Sequence, residues 1–121
     1  MQVHQYEKLT VWQKSMDLVE EVYRLTDKFP KVELYGLVSQ MRRCAISIPS
    51  NIAEGSRRKT SKDFSQFLAI AFGSGSELET QNKIALRLKF LKEPEYQKID
   101  TLLQEIMKML NKLIQYNHSK V

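Results

Sequence analysis

The side chains in this 121-residue sequence best suited to chemistry are cations. Arg57, Arg58, Lys59 and Lys62 form one cluster, and Lys83, Arg87, Lys89 and Lys92 form a second, in a stretch from Asn82 to Lys92 that holds no acidic residue. Guanidinium and ammonium groups bind phosphate oxygens through charge-assisted hydrogen bonds, and such contacts position a nucleic acid without reading its bases. The first cluster falls where one predicted helix ends and the next begins, beside a helix N-terminus that itself favours anions. The competing reading is a solvated face, with cations well placed near the negative end of a helix. The residues alone leave both open.

Other chemistries lack their parts. A di-metal carboxylate bundle needs Glu-x-x-His pairs on facing helices, but the only histidines are His4 and His118, and neither follows a glutamate by three positions. One cysteine and two terminal histidines make no zinc site, and no internal histidine is available to activate a serine or cysteine. We therefore expect no catalytic residue, no metal and no cofactor in a non-enzymatic protein. Gly73 and Gly75 lack the preceding strand and the following Lys-Ser/Thr of a phosphate-cradling loop. Cys44 lies in an apolar stripe and reads as a small core residue.

A row of polar residues, Gln40, Arg43, Ser47, Asn51 and Glu54, runs beside the apolar stripe Leu37, Met41, Ala45, Ile48 and Ile52. Both rows keep helical phase through Pro49, which favours one helix kinked there over two helices. The alternative places Ser47 or Ile48 as an N-cap, with the proline in the first turn. Gly55 fits a C-terminal stop. Arg43 and Glu54 are either surface residues or partners of polar groups on the next helix, with Glu77 the obvious acid. A structural network that fixes register is expected in preference to catalysis, because nothing in the sequence announces a cleft.

Four amphipathic segments must position these residues. Helix one, about 10–28, carries Val11, Trp12, Met16, Leu18, Val19, Val22, Tyr23 and Leu25 on one wide face, and Thr10 with Gln13 has capping-box spacing. Helix two runs about 34–56. Helix three, about 61–91, can be capped by Thr60 with Asp63, and Phe64, Phe67, Leu68, Ala71, Leu78, Ala85, Leu88 and Leu91 stay in phase. Its small residues Ala69, Ala71, Gly73, Ser74, Gly75 and Ser76 read as a close-approach surface. Helix four, about 94–117, starts at Pro94, turns Tyr96, Ile99, Leu102, Leu103, Ile106, Met109, Leu110, Leu113 and Ile114 inward, and leaves the final HSKV to fray. Short connections and no strand pattern predict an all-α, antiparallel up-and-down four-helix bundle forming a single domain over 1–121. The wide faces of helices one and three leave apolar surface for another subunit.

Nineteen basic and fourteen acidic residues give a net charge of +5, which permits anionic partners. No run is apolar and long enough for a membrane span, and the first residues lack a signal-peptide pattern, so a cytoplasmic protein is expected.

The segments LTVWQKSMDLVEEVYRLTDKFP, YGLVSQMRRCAISIPSNIAEGSRR and FLAIAFGSGSELET resemble the bacterial four-helix-bundle family named for proteins encoded in 23S ribosomal RNA intervening sequences. The likeness covers almost the whole chain, and SIPSNIAEG is its most specific part. The family's polar signature falls here on Gln40, Arg43, Ser47, Asn51, Glu54, Gly55, Ser74 and Glu77. The family is in turn similar to the accessory protein of diversity-generating retroelements, a helical bundle that forms a pentameric basic barrel and binds nucleic acid. That similarity implies a homo-oligomer, a pentamer by analogy, with RNA or DNA as partner.

Overall fold

The computed structural model describes residues 5–119. Its four α-helices are α1 (Thr10–Thr26), α2 (Ser39–Ser56), α3 (Ser61–Arg87) and α4 (Glu93–His118), and no strand occurs among the described residues. His4, Lys120 and Val121 lie outside them. Of the C-terminal residues expected to fray, His118 still belongs to α4 and Ser119 caps it.

Each helix packs on the next, and α4 closes back on α1. The packing is antiparallel. From α2 to α3, Ser47 meets Ser74 and Cys44 meets Glu77; from α1 to α4, Lys14 meets Glu105 and Glu21 meets Lys98. One core runs through the bundle: Leu18, Val22 and Leu25 of α1, Met41, Ala45, Ile48 and Ile52 of α2, Phe64, Leu68, Ala71, Leu78 and Ala85 of α3, and Ile99, Leu103, Ile106 and Leu110 of α4. These positions recur at the three- and four-residue steps of a helix, so burying them fixes the rotation of each helix. Met16 and Tyr23, expected to face inward, are exposed, as are Leu34, Ile46, Ile70, Ile84 and Leu88.

Several ends differ from the sequence reading. Thr10 does not cap α1: Leu9 occupies the N-cap position, and the Gln13 side chain donates to the Glu7 carbonyl at 2.9 Å. Helix two was expected from Leu34, but residues 34–38 form a wide π-type turn in which Gly36 leaves helical dihedrals (φ −113°, ψ −112°), so α2 proper begins at Ser39. From there α2 continues through Pro49 to Ser56 without interruption.

Gly55 is not a left-handed stop, since no described glycine has positive φ. It lies inside α2 because a Cβ there would come within 2.6 Å of Phe67 Cβ and 2.9 Å of Phe64 Cδ1. At Gly75 an added Cβ would meet the flexible thioether of Met107 of α4, which can move aside, whereas Gly73 faces open space. The close-approach surface of α3 is thus narrower than its run of small residues suggests.

The ends of α3 follow local chemistry. Thr60 Oγ1 accepts from the Asp63 amide at 3.1 Å and caps the start. The helix ends at Arg87, short of the expected position 91, because Lys89 takes a left-handed conformation (φ 63°). The Phe90 and Lys89 amides then bond back to the carbonyls of Ala85 and Leu86 at 2.9 and 3.0 Å, the pattern of a Schellman cap. At the start of α4, Glu95 Oε1 accepts from the Lys92 amide at 2.8 Å.

Candidate nucleic-acid interface

The short connection from α2 to α3 gathers Arg57, Arg58, Lys59 and Lys62 at one end of the bundle, all four exposed. Aromatic rings hold the two arginines. Arg57 lies over Tyr6 at 5.4 Å from the ring centroid and Arg58 over Phe67 at 4.7 Å, and Arg58 also pairs with Glu54. Such stacking keeps a guanidinium oriented while its outer edge stays open for a phosphate. Lys59 and Lys62 have no ion pair among the described residues.

The antiparallel order brings more positive charge to this end. Lys8 lies in the turn before α1, and the last half of α4, from Ile106 onward, carries Lys108 and Lys112 with no acidic residue. The N-terminus of α3 points the same way, and its dipole adds to the attraction for anions. Glu7, beside Tyr6 and Lys8, together with Glu54 and Asp63 are the opposing charges at this end, and Arg58 already engages Glu54.

The second cluster sits at the other end. Lys83 and Arg87 belong to the last turns of α3, Lys89 is in its left-handed cap, and Lys92 is the N-cap of α4. All four are exposed without an ion pair among the described residues. Their surroundings are mixed, because Glu93 and Glu95 occupy the first turn of α4 beside them. With 27 residues in α3, the two ends stand about 40 Å apart at 1.5 Å per residue. Within one chain the clusters are therefore two separate surfaces.

The polar row of α2 divides into three parts. Ser47 Oγ and Ser74 Oγ are 2.8 Å apart, and the Asn51 amide donates to the Ser47 carbonyl at 2.8 Å and its hydroxyl at 2.9 Å, a small network between α2 and α3. Glu54 pairs with Arg58 in place of a partner on α3. Arg43, read as either a surface residue or a partner of Glu77, shares a cleft of about 260 Å³ with Glu77, Gln40, Cys44 and Gln81 and makes no ion pair among the described residues. Cys44 Sγ lies 3.6 Å from Glu77 Oε2, and the Gln81 amide approaches the sulfur at 3.5 Å. Burial pushes the Cys44 thiol above its usual range, and the Glu77 charge adds to the effect.

Sequence reasoning missed Tyr6, Phe67 and Gln81. The first two depend on tertiary contact, while Gln81 stands one helical turn after Glu77 and extends the α3 polar row. Among the described residues no group of three or more His, Cys, Asp or Glu is placed to hold a metal ion, and no helix is long and apolar enough to cross a membrane.

A sequence profile of the family described as 23S rRNA-intervening sequence protein matches residues 7–112. A crystal structure of a protein with unknown function from the S23 ribosomal protein family of Bacteroides thetaiotaomicron VPI-5482 superposes with a TM-score of 0.80 at 24% identity, covering 87% of this chain and 95% of that one. At that identity the likeness concerns the fold. No curated protein matches the sequence.

Proposed function

The chain belongs to the family of 23S rRNA-intervening sequence proteins, and on that premise we propose that it is a non-enzymatic, homo-oligomeric, cytoplasmic bundle that binds RNA or DNA through phosphate contacts at the α2–α3 end. The observation that carries this reading is the group formed by Arg57, Arg58, Lys59 and Lys62: two ring-supported guanidiniums and two unpaired ammoniums around a helix N-terminus. The opposite end, with Glu93 and Glu95 beside its lysines, is the weaker candidate.

Oligomerisation is supported by apolar surface that the bundle leaves uncovered. Tyr23, Leu34, Tyr35, Val38 and Ile46, with Ser39, Arg42 and Arg43 as its polar lining, line an open groove of about 490 Å³ between α1 and α2. A second groove of about 310 Å³, lined by Trp12, Met16, Val19 and Pro49, continues it past Ile46. A pentamer is the expectation from the retroelement accessory protein. Repeating the basic end around a ring turns weak phosphate contacts into avid binding.

The test is fluorescence anisotropy of labelled structured RNA and duplex DNA over a salt series, with oligomeric mass measured in the same buffer. Affinity should fall by roughly 0.7 to 0.9 log units per log unit of salt for each phosphate neutralised. Absence of binding at low salt overturns the reading. The same groove favours a second reading, a protein-interaction module, since Tyr35 on its wall is 93% exposed. That reading predicts capture of one protein partner that survives nuclease treatment.

A further inference from the structure

Two exposed apolar surfaces are left without a partner inside the chain, and they lie on neighbouring sides of the bundle. One is the pair of grooves between α1 and α2, with the exposed Ile46 lining both. The other is on α3, where Ile70, Gly73, Glu77, Ile84 and Leu88 recur at three-, four- and seven-residue steps and so form one row. Ile70 is 52% exposed and Leu88 54%, and Ile84 is exposed as well. Glu77 places the row beside α2, because it lines the cleft with Arg43 and reaches Cys44. Gly73 weakens the helix interior, yet a Cβ added there meets nothing within 4 Å, so the dip it leaves serves no contact within the chain.

The two surfaces match in charge and in height. The polar lining of the larger groove is Ser39, Arg42 and Arg43, without an acid. Arg42 is fixed there by its bond to Thr26 Oγ1 at 3.0 Å and by stacking on Tyr23, while its ion pair with Asp27 is long, at 4.0 Å. Glu77, engaged among the described residues only by the weak thiol of Cys44, is the carboxylate in the middle of the α3 row. Ser74 stands level with Ser47 and Glu77 with Cys44, and the antiparallel helices continue that register. Ile84 is therefore level with Leu37, close to the Leu34, Tyr35 and Val38 of the groove. Glu77 is level with Arg42 and Arg43, and Gly73 with Ile46 and Pro49.

We propose that the α3 row of one copy seats in the α1–α2 grooves of the next, head to tail, with the helices parallel to the axis of a closed ring. Rotation about such an axis preserves height, so apolar residues meet apolar residues, Glu77 meets Arg42 and Arg43, and the dip at Gly73 receives Ile46. Contacts between two different surfaces close into a ring when their angle suits the rotation. Neighbouring sides of a four-helix bundle stand roughly at a right angle, which closes a ring of about four or five copies. The helix common to both contacts, α2, then faces the ring axis. This inference rests on the homo-oligomer reading and adds the surface that fills the groove.

The experiment measures the mass of Gly73→Gln, which blocks the row, and of Ile46→Lys, which puts a charge into the groove. Both positions are exposed, and helical circular dichroism checks that each variant folds. Each alone should fall to the 14.2 kDa of one chain at concentrations where the wild type assembles. Mixed at high micromolar concentration, the intact groove of the first takes the intact row of the second. The mass then doubles and stops there, because the remaining row and groove are both blocked. Should Gly73→Gln fold poorly, Ile70→Lys blocks the same row and takes its place. A wild type that assembles while either variant keeps the wild-type mass, or a mixture that stays at one chain, overturns the contact and leaves the homo-oligomer reading standing. A wild type of single-chain mass overturns both.

Discussion

The sequence reads Gly55 as a helix stop and Gly73 as a close-approach residue, and the structure exchanges the roles: Gly55 is the one packed against a neighbouring helix. An added methyl at Gly55 meets Phe67 Cβ, an atom fixed to the α3 backbone, so the two helices must move apart. Overpacking of that kind offsets the better helix propensity of alanine, and Gly55→Ala should lose about 2 kcal/mol of stability. At Gly73 nothing lies within 4 Å, and Gly73→Ala should gain about 0.5–1 kcal/mol. Urea denaturation of the two variants checks both signs. A loss at Gly73 seen only where copies assemble would mark a partner chain against that face. Cys44 adds a pH dependence. Its thiol is held above the usual range by burial, so the unfolded chain releases the proton first as pH rises. The stability tied to that proton is complete below about pH 8.5 and is lost as pH climbs from there through the folded pKa. Unfolding midpoints of wild type and Cys44→Ala should therefore shift against each other between pH 7 and pH 10, to the disadvantage of wild type. A constant difference would mean that the fold leaves the thiol unperturbed.

At the scale of the element, periodicity reveals helices better than it reveals their ends. Stripes such as Met41, Ala45, Ile48 and Ile52 are legible because burying them stabilises one rotation of one helix. The end of α3 was illegible for a physical reason: the chain turns at Lys89, a residue that enters the left-handed region at a cost of about 1–2 kcal/mol. Leu88 and Leu91 continue the apolar pattern on either side of that turn, and only Leu91 is buried. Glycine occupies such a cap without the penalty, so Lys89→Gly should stabilise the bundle by about 1 kcal/mol in urea denaturation. An unchanged or lower midpoint would show that the lysine side chain compensates for its backbone. The start of α2 failed similarly, because Leu34 and Leu37 suit a helix while Gly36 between them leaves helical dihedrals.

For the whole molecule, the candidate site was legible in its charges and illegible in its arrangement. Neighbours in sequence such as Arg57 and Arg58 are neighbours in space, whereas the rings that support them, Tyr6 and Phe67, arrive from distant positions. The separation of the two basic clusters was legible as well, because helix three reads as continuous through Gly73 and Gly75, and in the structure it spans 27 residues. That separation decides how an oligomer would work. In a ring of parallel bundles each cluster repeats on its own face, about 40 Å from the other, so one bound nucleic acid follows one face. Charge reversal can tell which. Lys59→Glu with Lys62→Glu should abolish RNA and DNA binding and flatten its salt dependence, since these ammoniums have no acid of their own to release. Lys83→Glu with Arg87→Glu changes a face already mixed by Glu93 and Glu95, and binding should survive it. Anisotropy over the same salt series, with oligomeric mass as the control for assembly, separates the outcomes. Loss of binding only in the second pair would move the interface to the α3–α4 end, and retention in both would remove the two clusters from the binding surface.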